Sequence, residues 1–404
     1  MNPSVRVEGA LARIAARDGV LGAWAHVDAA GARQQAKTAD GTAPLRGLLL
    51  GVKDIIDVGG LPCGVGSPIF RERRAFADAA IVARLKALGA IVLGKTVTTA
   101  FAFLDPAATR NPRDLSRSPG GSSSGSAAAV ADGHVDAALA TQTAGSIARP
   151  ASFCGIVGYK PTHGQFGLAG VAASAPTLDT VGWMSRDVAT TCRIHAALTG
   201  GTPAGPARSL GFCRTAHWER AEDAMRDAFL FRAKELGAAE VASPPAALDV
   251  LHATIMRFEM IRDLATEWLQ HRELLPKSLR DVLSDAAPSD DAYRTARVAR
   301  HGFDFDRLFG VNQVIVTPSA AGEAVAFGST GDPAFNRFVT LLGCPSVTLP
   351  FARGSRGLPL GVQLIARPHD DAMLLATAAA VEQAIREDGS WAVRCDSSDA
   401  GATG

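Results

Sequence analysis

The sequence predicts one mixed α/β domain. Short apolar runs of strand length alternate with helix-length periodic stretches along most of the chain, the pattern of a sheet covered by helices. The 404 residues, 47% of them hydrophobic, are enough for one large buried core. No internal repeat interrupts this order, so residues 1–388 are expected to form a single domain, with a helical elaboration at about residues 214–310.

Taken in order, residues 5–17 carry apolar side chains at helical spacing and predict an outer helix. Residues 44–58 read as paired strands. Residues 78–88 predict a helix and 90–93 a buried strand. After a glycine- and serine-rich turn, residues 126–132 form helix and 135–140 a strand. Residues 153–159 and 161–167 read as strand and turn. Asp187 can cap a helix running to about Leu198, closed by Gly200 and Gly201. Residues 202–208 are a surface loop, 210–213 a strand and 219–236 a helix. Residues 251–286 are largely helical, broken near Pro276, and 290–309 continue in that manner. Strands at 313–318, 345–350 and 360–366 alternate with helices at 334–342 and 370–385. The small polar residues 389–404 are expected to be a disordered tail.

Composition narrows the function. With 41 basic and 40 acidic residues, nothing favours nucleic acid or an anionic membrane as a partner. The six cysteines show no CxxC spacing, so neither a zinc site nor a disulfide framework is indicated. The N-terminus has no long apolar segment and no run of 18 apolar residues follows, which makes a cytoplasmic protein the expectation.

Two motif matches are decoys. Residues 89–96, GAIVLGKT, satisfy GxxxxGK[ST], but the interval is itself an apolar strand and the helix precedes it, whereas a phosphate loop needs a flexible interval after a strand. Residues 121–125, GSSSG, satisfy GxSxG, yet a nucleophile elbow must follow a hydrophobic strand and RNPRDLSRSPG is polar. Ser123 and Ser124 are better read as holding the turn.

Residues 118–167 are the reactive stretch. A hydrolytic serine needs a base within hydrogen-bond reach and donors aimed at the oxyanion it creates. The amides of Thr143, Ala144, Gly145 and Ser146 can turn toward one point because small residues let a carbonyl approach the backbone. His134 and His163 fit no Ser-His-Asp arrangement. Lys53 ends the apolar run LLLGVK, and carrying its ammonium into the core favours the neutral amine that a base must be.

These residues resemble the amidase signature enzymes, serine hydrolases with a Ser-cisSer-Lys triad. PGGSSSGSAAAVADG is similar to that family's Gly/Ser-rich motif, TAGSIARPASFCGIVGYKPTHG to its nucleophile motif and GVKDIIDVGG to its lysine motif. The resemblance, spanning about residues 6–385, implies an amidase-signature fold: a central mixed, twisted sheet flanked by helices on both faces. It implies Ser146 as nucleophile, Ser122 as bridging serine, Lys53 as base and the amides of residues 143–146 as oxyanion hole. The implied activity is hydrolysis of a small carboxamide C–N bond through a Ser146 acyl-enzyme, giving a carboxylic acid and ammonia or an amine, with neither metal nor organic cofactor. A small-molecule amide is the implied substrate, and a homodimer is among the assemblies allowed. The alternatives are a non-catalytic amidase-like binding module and a glutamine-dependent amidotransferase A-type subunit. Three positions depart from the family pattern: Gln142 stands where an aspartate is usual, Ala144 where a glycine is usual, and Arg149 falls one place late. Asp179, in a segment similar to the family's DTVGW, is expected to brace the site.

Overall fold

The computed structural model describes residues 2–39, 41–201 and 204–387. The expected tail at 389–404, with Cys395, lies outside the described residues, as do residues 202–203 of the expected surface loop. In chain order the elements are α1 (Pro3–Leu21), β1 (Trp24–Val27), α2 (Ala29–Lys37), β2 (Leu49–Lys53), α3 (Ala80–Ala87), β3 (Ile91–Thr96), α4 (Ser124–Ala131) and β4 (Ala137–Gln142). Next come α5 (Ala148–Cys154), β5 (Val157–Lys160), β6 (Thr180–Ser185), α6 (Val188–Thr199), β7 (Leu210–Phe212), α7 (Asp223–Glu235) and β8 (Ala239–Glu240). Helices α8 (Ala247–Asp263), α9 (Ala265–Gln270), α10 (Lys277–Ser284), α11 (Asp290–His301) and α12 (Phe305–Phe309) form the helical middle region. The chain then runs through β9 (Val314–Pro318), α13 (Arg337–Leu341), β10 (Ser346–Arg353), β11 (Pro359–Ala366) and α14 (Asp371–Glu387).

The strands make one mixed eleven-stranded sheet in the order β1-β3-β2-β4-β6-β5-β10-β11-β9-β7-β8. Strand β2 runs parallel to both β3 and β4, whereas β4, β6, β5, β10, β11 and β9 pair antiparallel in succession. Side chains that alternate along the strands divide the core. Ala137 and Leu139 of β4 and Val314 and Val316 of β9 pack with α3, α6, α7 and α14. Ala138 and Ala140 pack with α1, α2, α4 and α5, and Ile315 and Ile365 with α8, α11 and α13. A strand's period of two thus buries both faces.

Several boundaries differ from the sequence reading, each for a local reason. Residues 44–58 supply one strand, not a pair: Gly47 turns at φ 73° before it, and Ile56 N–H closes a turn onto the Lys53 carbonyl after it. Phe153 and Cys154 belong to helix α5, which Gly155 ends at φ 64°, so β5 starts only at Val157. The sequence reading passes over β1 and α2. Their capping residue, Asp28, accepts from Gly31 N–H, a pattern that also fits a loop. Asp187 does cap α6, accepting from Thr190 N–H, and Gly200 ends that helix in the left-handed region. The strand expected at 90–93 is β3, which starts at Ile91 and runs on to Thr96, and its Lys95 pairs with Asp54 at 2.9 Å within the core. The five cysteines among the described residues are free thiols. No helix of the described residues is long and apolar enough to cross a membrane.

Candidate active site

Lys53 closes β2, and parallel pairing sets the end of that strand beside the end of β4. Its side chain is fully buried, with Nζ 2.8 Å from Ser122 Oγ and 2.9 Å from Thr141 Oγ1. Burial pushes the amine down from 10.5 to about 7, and nearby Asp179 pulls it back up only partly. A lysine in that condition is substantially neutral near pH 7 and can accept a proton.

Ser122 lies in the turn before α4. The Gly121–Ser122 peptide is cis, and the Ser122 carbonyl accepts from Thr99 N–H at 3.1 Å. A side chain on Gly121 would come within 2.6 Å of Thr330 Cγ2, so only glycine lets the turn lie this close to residue 330. From α5, Arg149 reaches back and donates through Nη2 to the Gly121 carbonyl at 2.7 Å; its Nε and Nη1 have no partner among the described residues. Ser123 and Ser124 hold the turn as expected, donating to the carbonyls of Thr141 and Ser122 at 3.4 Å each.

Ser146 sits in the loop between β4 and α5 and is nearly buried. Among the described residues its hydroxyl makes no hydrogen bond to protein, and neither do the amides of Thr143, Ala144, Gly145 and Ser146. Successive N–H groups without a protein acceptor, beside a hydroxyl without one, are the kind of donor set from which anion-binding nests are built. The loop is held from behind. Gln142 Oε1 accepts from the amides of Ile147 and Ala148 at 2.9 and 3.0 Å, and its Nε2 donates to Thr340 Oγ1 at 3.0 Å. Replacing a carboxylate by an amide at this position therefore keeps the support for the loop, because one neutral oxygen serves both amides. Asp179 accepts from Thr143 Oγ1 at 2.5 Å and from the amides of Ser174 and Ala175, the bracing role expected of it. Burial pushes its carboxyl up to about 6 in spite of these donors and Lys53.

Lys53 and Ser122 thus meet, with Thr141, two residues before the Thr143–Ser146 loop, against the same amine, while the two histidines that fit no triad have structural partners. His134 accepts from Trp24 Nε1 at 3.0 Å and lies 3.1 Å from Asp132, and His163 bonds the Pro176 carbonyl. Thr141 was missed by the sequence reading, although its place at the end of the strand leading to Ser146 is a usable signal. No group of His, Cys, Asp and Glu among the described residues could hold a metal ion.

The family model described as Amidase matches residues 6–222, more than half of the chain, and the chain belongs to the amidase signature family. Its fold and its class as an enzyme follow from that membership. The A-type subunit of the glutamyl-tRNA(Gln) amidotransferase from Anaeromyxobacter dehalogenans (strain 2CP-C) is 34% identical to it, over 93% of this chain and 92% of that protein. Among solved structures, a chain of a vestigial protein complex bearing on the origins of an s-triazine catabolic enzyme superposes with a TM-score of 0.89 at 28% identity, covering 98% of this chain and 97% of the other. The peptide amidase from Stenotrophomonas maltophilia superposes at 0.81 with 26% identity, covering 96% and 94%.

Proposed function

We propose that this enzyme cleaves a carboxamide C–N bond through an acyl-enzyme on Ser146. Neutral Lys53 takes a proton from Ser122 while Ser122 takes one from Ser146, whose oxygen attacks the substrate carbonyl. The amides of residues 143–146 hold the resulting oxyanion. The relay then returns a proton to the leaving nitrogen as the C–N bond breaks, and a second nucleophile, water in the simplest case, releases the acyl group by the same steps in reverse. One observation carries this reading: a fully buried amine lies 2.8 Å from the Ser122 hydroxyl, and its other polar partner is the neutral hydroxyl of Thr141.

Two functions share this half-reaction. Solved structures named as amidases favour a free-standing hydrolase of small amides. The curated relatives favour the second more strongly: at 34% identity over 93% of the chain, they point to an A-type subunit that frees ammonia from glutamine for use by a partner protein. A cytoplasmic setting accords with both. Turnover of a panel of simple amides and of glutamine, measured with and without proteins that copurify, separates the two. In either case Ser146→Ala should lower kcat by about 10⁴-fold or more, and near-normal turnover by the folded variant sinks the acyl-enzyme reading.

A further inference from the structure

Helix α8 lies beyond the residues that carry the three motifs, yet it reaches the nucleophile loop. Its His252, buried, bonds through Nε2 to the Thr143 carbonyl at 2.8 Å. Because the acceptor is a carbonyl oxygen, this nitrogen must carry the proton. Burial pushes the imidazole down to about 4, so the ring is neutral over the physiological range. From α13, Thr340 Oγ1 donates to the next carbonyl, that of Ala144, at 2.9 Å. The direction of that donation is fixed, since the same oxygen accepts from Gln142 Nε2.

In a trans peptide the carbonyl and the following N–H point to opposite sides of the bond. The cis peptide in this region is Gly121–Ser122, not a bond of the nucleophile loop. Holding the Thr143 carbonyl toward His252 therefore turns the Ala144 N–H away from α8. Holding the Ala144 carbonyl toward Thr340 turns the Gly145 N–H away from α13. These are two of the loop amides left without an acceptor in the protein. The segment before Asp179 is clasped by the same helical region: Glu259 of α8 accepts from Thr177 N–H, and Arg300 of α11 donates to the Thr177 carbonyl.

We propose that His252 and Thr340 are positioning residues that aim the Ala144 and Gly145 amides at the oxyanion. The inference rests on the Ser146 acyl-enzyme reading. It assigns the helical middle region a part in turnover: α8 supplies a donor that sets the orientation of a catalytic peptide group without touching substrate. A donor that is misaimed costs less than one removed, so the expected loss is smaller than the 10²- to 10³-fold known for deleting an oxyanion donor.

The test compares His252→Leu with His252→Gln, and Thr340→Val with Thr340→Ser, in the full-length chain on a reactive aryl ester or anilide, beside Ser146→Ala. His252→Leu and Thr340→Val should each lower kcat by about 10- to 100-fold and slow fluorophosphonate labelling of Ser146 by a similar factor, with KM changed by no more than about threefold. The glutamine and serine variants, which keep a donor, should recover most of the loss. Wild-type kcat in folded His252→Leu and Thr340→Val overturns the inference, as does equal damage in the donor-keeping pair, which would mean packing alone. Should His252→Leu not fold, the nearly isosteric Thr340→Val and its serine counterpart decide the matter. Full activity in Ser146→Ala is a separate result: it removes the acyl-enzyme reading, and the positioning role with it.

Discussion

Replacing Lys53 by methionine separates what the amine does for chemistry from what it costs in stability. Burial holds Lys53 near 7 in the folded protein against 10.5 for an ordinary lysine. Between those two values the unfolded chain binds the proton more tightly, so folding releases nearly one proton and wild-type stability rises with pH. The penalty is complete below about pH 7 and fades as the pH approaches the ordinary lysine value. Its slope is about 1.4 kcal/mol per pH unit, which integrates to about 3 kcal/mol between about pH 7 and about pH 9.5. Methionine fills a similar volume and does not titrate, so Lys53→Met lacks this slope. Urea unfolding of both proteins across that range gives a difference in which the titrating groups not coupled to Lys53 cancel, and Asp179, near 6, titrates mostly below that range. The difference should move by about 3 kcal/mol in favour of wild type as the pH rises, while the variant stays inactive throughout. Parallel stability curves would refute the reasoning, since the folded protein would then hold an ordinary charged lysine, unfit to act as a base.

The wild-type kcat/KM should climb with pH through about 7 as Lys53 loses its proton, with Asp179, near 6, titrating as its coupled neighbour; a profile flat from pH 5 to 8 would contradict this. Gln142→Glu keeps the acceptor for Ile147 and Ala148 but draws the Thr340 hydroxyl toward the new carboxylate and off the Ala144 carbonyl. In a pH–rate series it should lower kcat by about tenfold and shift the acid limb upward, because a nearby negative charge favours the ammonium. Gly125→Ala places a methyl 2.3 Å from the Ala23 carbonyl oxygen and 2.4 Å from Val97 N. Both are backbone atoms, and denaturant unfolding should register a loss of about 3 kcal/mol or more. By contrast, Gly9→Ala, on the exposed face of α1 with open space around it, should gain about 0.5–1 kcal/mol.

The groups of the proposed relay were legible because each belongs to a conspicuous local pattern. Lys53 ends an apolar run, and Ser122 and Ser146 sit among residues too small for ordinary core. What holds them was not legible. Thr141 acts through the parallel register of β2 with β4, which no local pattern announces. His252 lies within a helix whose apolar spacing reads as plain core, and Thr340 within a short helix of ordinary composition. Both act across more than a hundred residues of sequence. Among the elements, the periodic helix α14 was placed within two residues of its ends, whereas α1 and α7 each miss an end by four residues and β1, of four residues, carries too few alternations to stand out. At Gln142 the letter marks only a departure from the family pattern, and the fold reveals that its amide oxygen serves two N–H groups at once.

The separations between these partners bear on when the enzyme becomes active as it is made. Lys53 meets Ser122 across 69 positions and Thr141 across 88, while the Thr143 and Ala144 carbonyls meet their donors across 109 and 196. Contacts of such range close late in folding. On the proposed reading, a nascent chain that already contains the amine and both hydroxyls would still lack the backing that α8 and α13 provide. Full hydrolytic power would then arrive only with the last third of the polypeptide, and incomplete chains would turn over more slowly.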